Sequence, residues 1–123
     1  MFTRPDHQFF RTQRVEKPWG HEILWAWSDT YVGKILHVRR GESLSLQYHL
    51  SKDETMSVLT GRVRLETGTS ADTLEAHELG PGDCLRLTPG TLHRVEALDD
   101  SDILEASTPQ LDDVVRLSDR YGR

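Results

Sequence analysis

The chain lacks two features that would place it among disulfide-bonded or membrane-spanning proteins. It has one cysteine, Cys84, so an internal disulfide is impossible. No apolar stretch approaches the roughly 20 residues that a membrane-spanning helix needs, and Met1 to His7 lack the basic start and apolar run of a secretory leader. We therefore expect a cytoplasmic protein. Leu85 and Leu87 beside the cysteine indicate a strand, in which we expect the thiol to be buried and unreactive.

Positively charged residues are fewer than negatively charged ones. The 123 residues include 15 Lys and Arg against 20 Asp and Glu, which gives a formal net charge of −5. Arg39 and Arg40 are the only adjacent basic pair, and a domain without a basic cluster binds nucleic acid poorly. We therefore expect no nucleic-acid partner and no membrane partner. The length suits one domain with one hydrophobic core.

Short strand-like segments separated by glycine and proline fill most of the chain. In one of them Leu44 and Leu46 fall on one face, and Gln47 and His49 fall on the other. Gly61 lies between two further segments and suits a tight hairpin turn. Many short strands with such turns predict an all-β, antiparallel sandwich or barrel, and closing it as a jelly roll protects its edges.

The two ends of the chain differ from this pattern. Residues 1–14 are polar with isolated aromatic side chains, and we expect them to form an arm that is partly disordered or packs on a second subunit. The apolar positions of residues 111–117 predict a short helical or irregular tail. The domain itself is expected to span residues 15–123, and an exchange of arms would give a homodimer.

The most informative pattern is a set of spaced side chains that can bind a metal, namely Gln47, His49, Glu54 and, much later, His93. Alternate residues of a strand share a face, so Gln47 and His49 project together, and Glu54 can return to that face after a short turn. Oxygen and imidazole ligands without a thiolate suit a divalent ion such as Zn²⁺, Mn²⁺, Fe²⁺, Co²⁺ or Ni²⁺ in an open site. The alternative is that these are ordinary polar residues. The remaining histidines are expected to be structural or solvent-exposed: His7, His21, His37 and His77.

The ligand pattern resembles the two cupin motifs. The first usually contains His-x-His, where this chain has Gln47-Tyr48-His49, and the second usually contains Pro-x-Gly-x-x-His, where Pro89 is shifted by one position. Residues 44–49, Leu-Ser-Leu-Gln-Tyr-His, are similar to the type II mannose-6-phosphate isomerase domain found at the C-terminus of bifunctional mannose-1-phosphate guanylyltransferases. Further matching positions extend the resemblance over residues 14–123: Lys17-Pro18-Trp19-Gly20, Tyr31, Lys34, His93-Arg94, Glu105 and most of residues 112–123.

The resemblance implies a single-domain cupin jelly-roll β-barrel with a bound divalent metal, for which we expect Zn²⁺ first. It also implies interconversion of mannose 6-phosphate and fructose 6-phosphate through an enediol. The chain departs from the family where Lys52-Asp53-Glu54-Thr55-Met56 replaces the common Arg-Ala-Glu-His-Trp, so the histidine after the glutamate is missing. No glycine-rich nucleotide loop is present, so guanylyl transfer is not expected.

Two residues are candidates for proton transfer in such a reaction. Glu105 follows Ile103 by two and therefore shares its inward face, which makes it the candidate base; its alternative role is to orient a ligand histidine. Lys34, on an alternating strand, is the other candidate acid or base, or else a partner in a salt bridge.

A phosphorylated sugar also needs cations and a binding surface. Arg116 and Arg123 are the candidates for the phosphate, because arginine binds phosphate as a fork. Arg94 is weaker, since it directly follows His93 and strand alternation aims it away from the metal. Trp19 is a candidate to close over the sugar, or else to pack in the N-terminal part of the domain.

Three other functions fit the same residues. Another cupin enzyme, such as an oxygenase, would use iron with histidine-rich ligation, against which Gln47 argues. A non-enzymatic cupin would bind a sugar or sugar phosphate without turnover. A different aldose–ketose isomerase would act on an unphosphorylated sugar.

Overall fold

The computed structural model describes all of residues 1–123 and consists almost entirely of β-strands. Its only helical element is one turn of 3₁₀ helix at Ala71–Thr73, and no helix is long and apolar enough to cross a membrane. The strands are β1 (Gln13–Lys17), β2 (Gly20–Trp27), β3 (Val32–Val38), β4 (Leu46–Tyr48), β5 (Glu54–Thr60), β6 (Val63–Gly68), β7 (Glu75–Leu79), β8 (Cys84–Leu87), β9 (Leu92–Ala97), β10 (Ser101–Ser107) and β11 (Val115–Ser118).

Two antiparallel sheets enclose the core. One has six strands in the order β1-β2-β3-β10-β5-β8, and the other has five in the order β11-β4-β9-β6-β7. Leu36, Val58 and Ile103 from the first sheet pack with Leu65 and Val95 from the second. This arrangement confirms the predicted all-β jelly-roll class.

The chain crosses from one sheet to the other at Gly61. Because β5 lies in the six-stranded sheet and β6 in the five-stranded sheet, the hairpin expected at this glycine is wrong. Gly61 has a φ of 88°, which a residue with a side chain rarely adopts. Hairpins and crossovers both use glycine turns, so the sequence pattern could not distinguish them.

The N-terminal arm packs on its own chain. Strand β1 begins at Gln13, inside the segment expected to be an arm. The Gln13 side-chain amide accepts a hydrogen bond from the backbone N–H of Thr3 at 2.8 Å and donates one to the Thr3 carbonyl at 2.5 Å. Arg4 forms an ion pair with Asp29 at 2.6 Å. The arm therefore contacts its own chain at Thr3 and Arg4, while its partial disorder or packing on a second subunit stays a prediction.

The C-terminal tail contains a strand where a helical or irregular segment was predicted. Val115–Ser118 form β11 and pair with β4, with Arg116 opposite Gln47. The edge of β4 needs hydrogen-bond partners, and the tail provides them.

Cys84 is exposed, contrary to the expectation that it would be buried. Strand β8 alternates so that Leu87 is buried and Leu85 half-buried, while Cys84 and Arg86 face outward. The two leucines indicated a strand correctly, but alternation places the cysteine on the opposite face from them.

Replacing Gly61 with alanine tests the crossover turn. A Cβ at Gly61 would overlap the Asp100 carbonyl oxygen and lie 2.8 Å from the Ser101 Cα, whereas a Cβ at Gly82, with a φ of +91°, would meet nothing within 4 Å. Gly82→Ala should therefore cost only the backbone strain, about 1–2 kcal/mol. Gly61→Ala should cost clearly more in chemical denaturation. Equal losses would show that the crossover is not tightly packed.

Candidate metal centre

Neighbouring strands of the five-stranded sheet bring the first candidate ligands together. Gln47 on β4 lies directly opposite His93 on β9. His49 follows β4 after one further residue, and Glu54 begins β5 in the other sheet. The site is therefore assembled across the gap between the two sheets, close to where β4 leads into β5.

Three of these side chains converge on one point. His49 Nε2 lies 3.1 Å from Glu54 Oε1, and His93 Nε2 lies 3.3 Å from the same oxygen. One ligand atom from each of the three residues lies within 4.8 Å of the others, and all three residues are buried. Gln47 completes the set, with its Nε2 atom 3.5 Å from His93 Nε2.

Hydrogen bonds orient both imidazole rings. His49 Nδ1 donates to the carbonyl of Asp113 at 2.5 Å, and His93 Nδ1 donates to the carbonyl of Thr91 at 3.0 Å. Each ring therefore carries a proton on Nδ1, and its Nε2 atom faces the centre, where it can donate to Glu54 or, once deprotonated, offer its lone pair to an ion. Ligand histidines in metalloproteins are held in this way.

The donor set fits a divalent ion of the Zn²⁺, Mn²⁺, Co²⁺, Ni²⁺ or Fe²⁺ type, because it combines two neutral imidazoles with a carboxylate. Gln47 Oε1 accepts a hydrogen bond from Ser45 Oγ at 2.6 Å. A half-turn of the amide would present its oxygen to the centre, and its NH₂ group would then donate to the same hydroxyl. The amide can thus serve as a fourth ligand without losing its partner.

Asp113 holds the short loop between His49 and Glu54. Its carboxylate accepts hydrogen bonds from the backbone N–H groups of Leu50, Ser51 and Lys52 at 2.8, 2.6 and 2.9 Å. These bonds, led by those from Leu50 and Ser51, lower the pKa of Asp113. One residue therefore orients a ligand ring through its carbonyl and fixes the connecting loop through its side chain.

A buried ammonium joins the ligand carboxylate to a second buried carboxyl. Lys52 Nζ lies 3.3 Å from Glu54 Oε2 and 3.1 Å from Glu105 Oε1, and all three side chains are almost inaccessible to solvent. Burial alone would lower the pKa of Lys52, but attraction to Glu105 and Glu54 outweighs it and raises the pKa. Glu54 thus presents one oxygen to the imidazoles and the other to the ammonium.

The two carboxyls have opposite pKa shifts. Burial, followed by the charge of Glu54, raises the pKa of Glu105 to about 7. Burial acts in the same direction on Glu54, but hydrogen bonds from Glu105, His49 and His93 outweigh it and hold its pKa far below its ordinary value. When two carboxyls lie side by side, the charge of one disfavours ionisation of the other, so one pKa is raised and the other stays low. Glu105 is therefore the group that can exchange a proton near neutral pH.

The same attraction acts on a ligand histidine. Burial by itself would lower the pKa of His49, but its hydrogen bond and charge attraction to Glu54 outweigh that effect and raise the pKa. A divalent ion must compete with this proton, so binding of metal should weaken as the pH falls.

The centre opens onto a cavity of about 730 Å³. Trp19 borders the cavity but is 2% exposed and belongs to the hydrophobic core, so it packs rather than closing over a ligand. Phe2 from the N-terminal arm also lines the cavity, with Lys34 Nζ 5.6 Å from its ring centroid. The cationic side chains that line the cavity are Lys17, Lys34, Lys52, Arg116 and Arg123.

The predicted substrate-binding cations differ in how they are engaged. Arg116 lines the cavity and forms no ion pair, whereas Arg123 pairs with Asp119 at 2.7 Å. Lys34 lines the cavity and pairs with Glu22 at 3.0 Å.

Arg94 does not line the cavity, so a substrate-binding role there has no structural support. Its guanidinium instead forms two hydrogen bonds with Glu66, at 3.0 and 3.2 Å, on the far side of β9. Strand alternation is the reason, because His93 on the same strand faces inward.

Sequence reasoning missed two residues of the centre, Lys52 and Asp113. Lys52 was visible only as a departure from a family pattern, although a lysine two residues before a ligand carboxylate is a signal that could have been used. Asp113 comes from the tail, and nothing in the sequence near His49 indicates it. Thr55, which stands where the family commonly has a histidine, is exposed and lies outside the cavity lining.

Most of the chain matches one known family. Residues 4–119 match the family described as mannose-6-phosphate isomerase C-terminal. The chain belongs to this family. The match includes the candidate metal centre, Glu105 and Arg116, and it confirms the resemblance seen in the sequence.

Relatives of this isomerase-type domain are longer proteins. Mannose-1-phosphate guanylyltransferase ManC of Salmonella typhimurium strain LT2 is 32% identical over 122 residues, which are 95% of this chain and 24% of the relative. Mannose-1-phosphate guanylyltransferase of Escherichia coli strain K12 is 33% identical over 125 residues, which are 98% of this chain and 25% of the relative. The domain thus spans about a quarter of the length of these relatives.

Solved structures establish the cupin fold of the isomerase-type domain. KdgF from Halomonas sp. has a TM-score of 0.69 at 22% identity, and the match covers 84% of this chain and 89% of that one. Oxalate decarboxylase from Bacillus subtilis has a TM-score of 0.72 at 16% identity and covers 86% of this chain and 30% of that one.

Asp113 offers a test of the centre that leaves all four candidate ligands in place. Asp113→Ala should free the loop of residues 50–52 and weaken Zn²⁺ binding about 10- to 100-fold, the usual effect of losing a group that positions ligands. Asp112→Ala is the matched control, because its side chain forms no hydrogen bond to the loop. Isothermal titration of metal-free protein measures both, and equal affinities in the two variants would contradict the role of Asp113.

Proposed function

We propose that the domain is a metal-dependent aldose–ketose isomerase that interconverts mannose 6-phosphate and fructose 6-phosphate through an enediol. The observation that carries the proposal is the grouping around one cavity of a metal-binding set, a buried carboxyl of raised pKa and an arginine without an ion pair. The reaction needs an electrophile beside the sugar oxygens, a proton carrier beside the carbons and a cation for the phosphate. Family membership supports the same assignment.

A bound divalent ion, for which Zn²⁺ is expected first, would be held by Gln47, His49, Glu54 and His93. It would act as a Lewis acid on the oxygens at C1 and C2 of the sugar and so make the C2 proton of the aldose more acidic. Lys52 keeps the second oxygen of Glu54 engaged, which leaves the first oxygen for the centre.

Glu105 carries the proton between the two carbons. Its carboxylate takes the proton from C2 of the open-chain aldose and returns it to C1, while a second proton moves from O2 to O1. The ketose then differs from the aldose only in the positions of two hydrogens. A pKa of about 7 suits this role, because a carrier is most effective when its pKa is close to the working pH. Glu105 contacts Glu54 and Lys52 rather than a ligand histidine, which disfavours the alternative that it orients such a histidine.

Lys34 is better suited to hydrogen bonding than to proton transfer. Its ammonium is paired with Glu22 at 3.0 Å and still lines the cavity. Such a group can donate to a sugar hydroxyl or to the oxyanion that develops in the enediol.

Arg116 is the proposed phosphate-binding residue. It lies directly across from Gln47 on the adjoining strand, so its side chain enters the cavity beside the metal centre. Because it has no carboxylate partner, its fork of N–H groups is free for an anion. Arg123 and Lys17 line the same cavity and can add charge at its rim.

An isomerase assay tests the proposal. Protein stripped with a chelator and reloaded with Zn²⁺, Mn²⁺, Co²⁺ or Ni²⁺ should form fructose 6-phosphate from mannose 6-phosphate with at least one metal. His93→Ala should lose metal and turnover together, whereas Glu105→Gln should retain metal and lose turnover. Folded, metal-loaded wild-type protein without turnover would instead favour a different sugar substrate or a cupin that only binds sugar phosphate.

Arg116→Ala tests the phosphate site. Loss of a charged hydrogen bond worth about 1.5–3 kcal/mol should raise the KM for mannose 6-phosphate at least about tenfold. Arg94→Ala is the matched control, because Arg94 is engaged with Glu66 outside the cavity. A KM unchanged by Arg116→Ala, or changed equally by both variants, would remove Arg116 from phosphate binding.

A further inference from the structure

The outer face of the six-stranded sheet carries a second group of imidazoles. His21 on β2 lies directly opposite His37 on β3, and their rings stack with centroids 4.8 Å apart and an interplanar angle of 17°. The flanking residues Leu36 and Val38 are buried in the core, so alternation turns His37 away from it. The pair is therefore separated from the metal centre by the sheet itself.

A carboxylate on the next strand orients one of these rings. His37 Nδ1 donates to Asp102 Oδ1 at 2.8 Å, and Asp102 Oδ2 accepts a hydrogen bond from Thr60 Oγ1 at 3.2 Å. Asp102 also lies directly opposite His37 in the sheet register. The carboxylate fixes the proton on Nδ1 and leaves Nε2 of His37 free to act as a ligand, as in many histidine–metal sites.

The surroundings of His21 also favour a neutral ring. Burial, followed by the positive charge of Arg14, lowers the pKa of His21. Glu16 lies opposite His21 on β1, but its carboxylate is engaged by Arg14 Nε at 2.6 Å. Neither ring nitrogen of His21 forms a hydrogen bond, so the imidazole is available to a ligand.

We propose that His21 and His37 form a second divalent-metal site on the outer face of the sheet, with Asp102 orienting His37 and water completing the coordination. Two imidazoles without a thiolate suit Zn²⁺, Ni²⁺ or Cu²⁺. In this structure the rings are stacked, so both must rotate before their Nε2 atoms can meet one ion, and their half-exposed position leaves room for that rotation. An ion bound there joins β2 to β3 and stabilises the folded chain, because it binds the folded chain more tightly than the unfolded one.

Zn²⁺ binding to untagged, chelator-treated full chain tests this site without any enzymatic readout. Isothermal titration of the wild type should give two equivalents, and His21→Ala should reduce this to one. His37→Ala should do the same, and Asp102→Asn should weaken the second equivalent without abolishing it. His77→Ala, which removes an exposed histidine on β7, should leave two equivalents.

The reciprocal variant separates the two sites. His93→Ala should retain one equivalent of Zn²⁺, and adding His21→Ala should remove it or weaken it at least tenfold. If His93→Ala does not fold, the comparison of wild type with His21→Ala and His77→Ala still decides the matter. A wild-type stoichiometry of one, or an equal number of equivalents in wild type and His21→Ala, would overturn the proposal and leave the stacked rings as a packing pair.

Discussion

The burial of Glu54 is the constraint on which the centre depends. A carboxylate that is 2% exposed has lost its water, and such a group is tolerated only where opposite charges or donors replace the solvent. Here His49 and His93 approach one oxygen, while Lys52 approaches the other. Because Lys52 also serves Glu105, a single ammonium links the ligand carboxylate to the proposed proton carrier. Removal of any one of these groups would leave another buried and unpaired.

This constraint explains why the site includes residues of the C-terminal tail. The loop that carries Lys52 from β4 to β5 must be fixed if its ammonium is to meet both carboxyls. Asp113 fixes it with three backbone hydrogen bonds, and its carbonyl also orients His49. The neighbouring strand β11 then pairs with β4 and places Arg116 opposite Gln47. The tail therefore contributes to ligand orientation, to loop geometry and to the charge of the cavity.

Local pattern predicted the parts of the structure that depend on strand alternation. It indicated that Gln47 would lie beside His49, that Glu105 would share the inward face of Ile103, and that Arg94 would point away from the metal. It failed where the outcome depends on contacts distant in sequence. The pairing of β11 with β4, the crossover at Gly61 and the attachment of Thr3 to Gln13 all join segments whose proximity no local period encodes. Lys52 was missed for a related reason. Its role is to pair with Glu54 and Glu105, two carboxyls that lie on different strands and meet only in the folded chain.

The departures of this chain from its family therefore differ in their consequences for the site. Thr55, where the family commonly has a histidine, is exposed and opposite Ala106 on β10, so a change there does not alter the cavity lining. Lys52, where the family commonly has an arginine, lies at the centre of the buried charge network, but it retains a cation. A lysine has a single ammonium in place of a planar fork, and that ammonium reaches both Glu54 and Glu105. A different side chain thus maintains the charge balance that keeps Glu54 ionised and the pKa of Glu105 near 7. The proposed chemistry does not depend on the missing histidine.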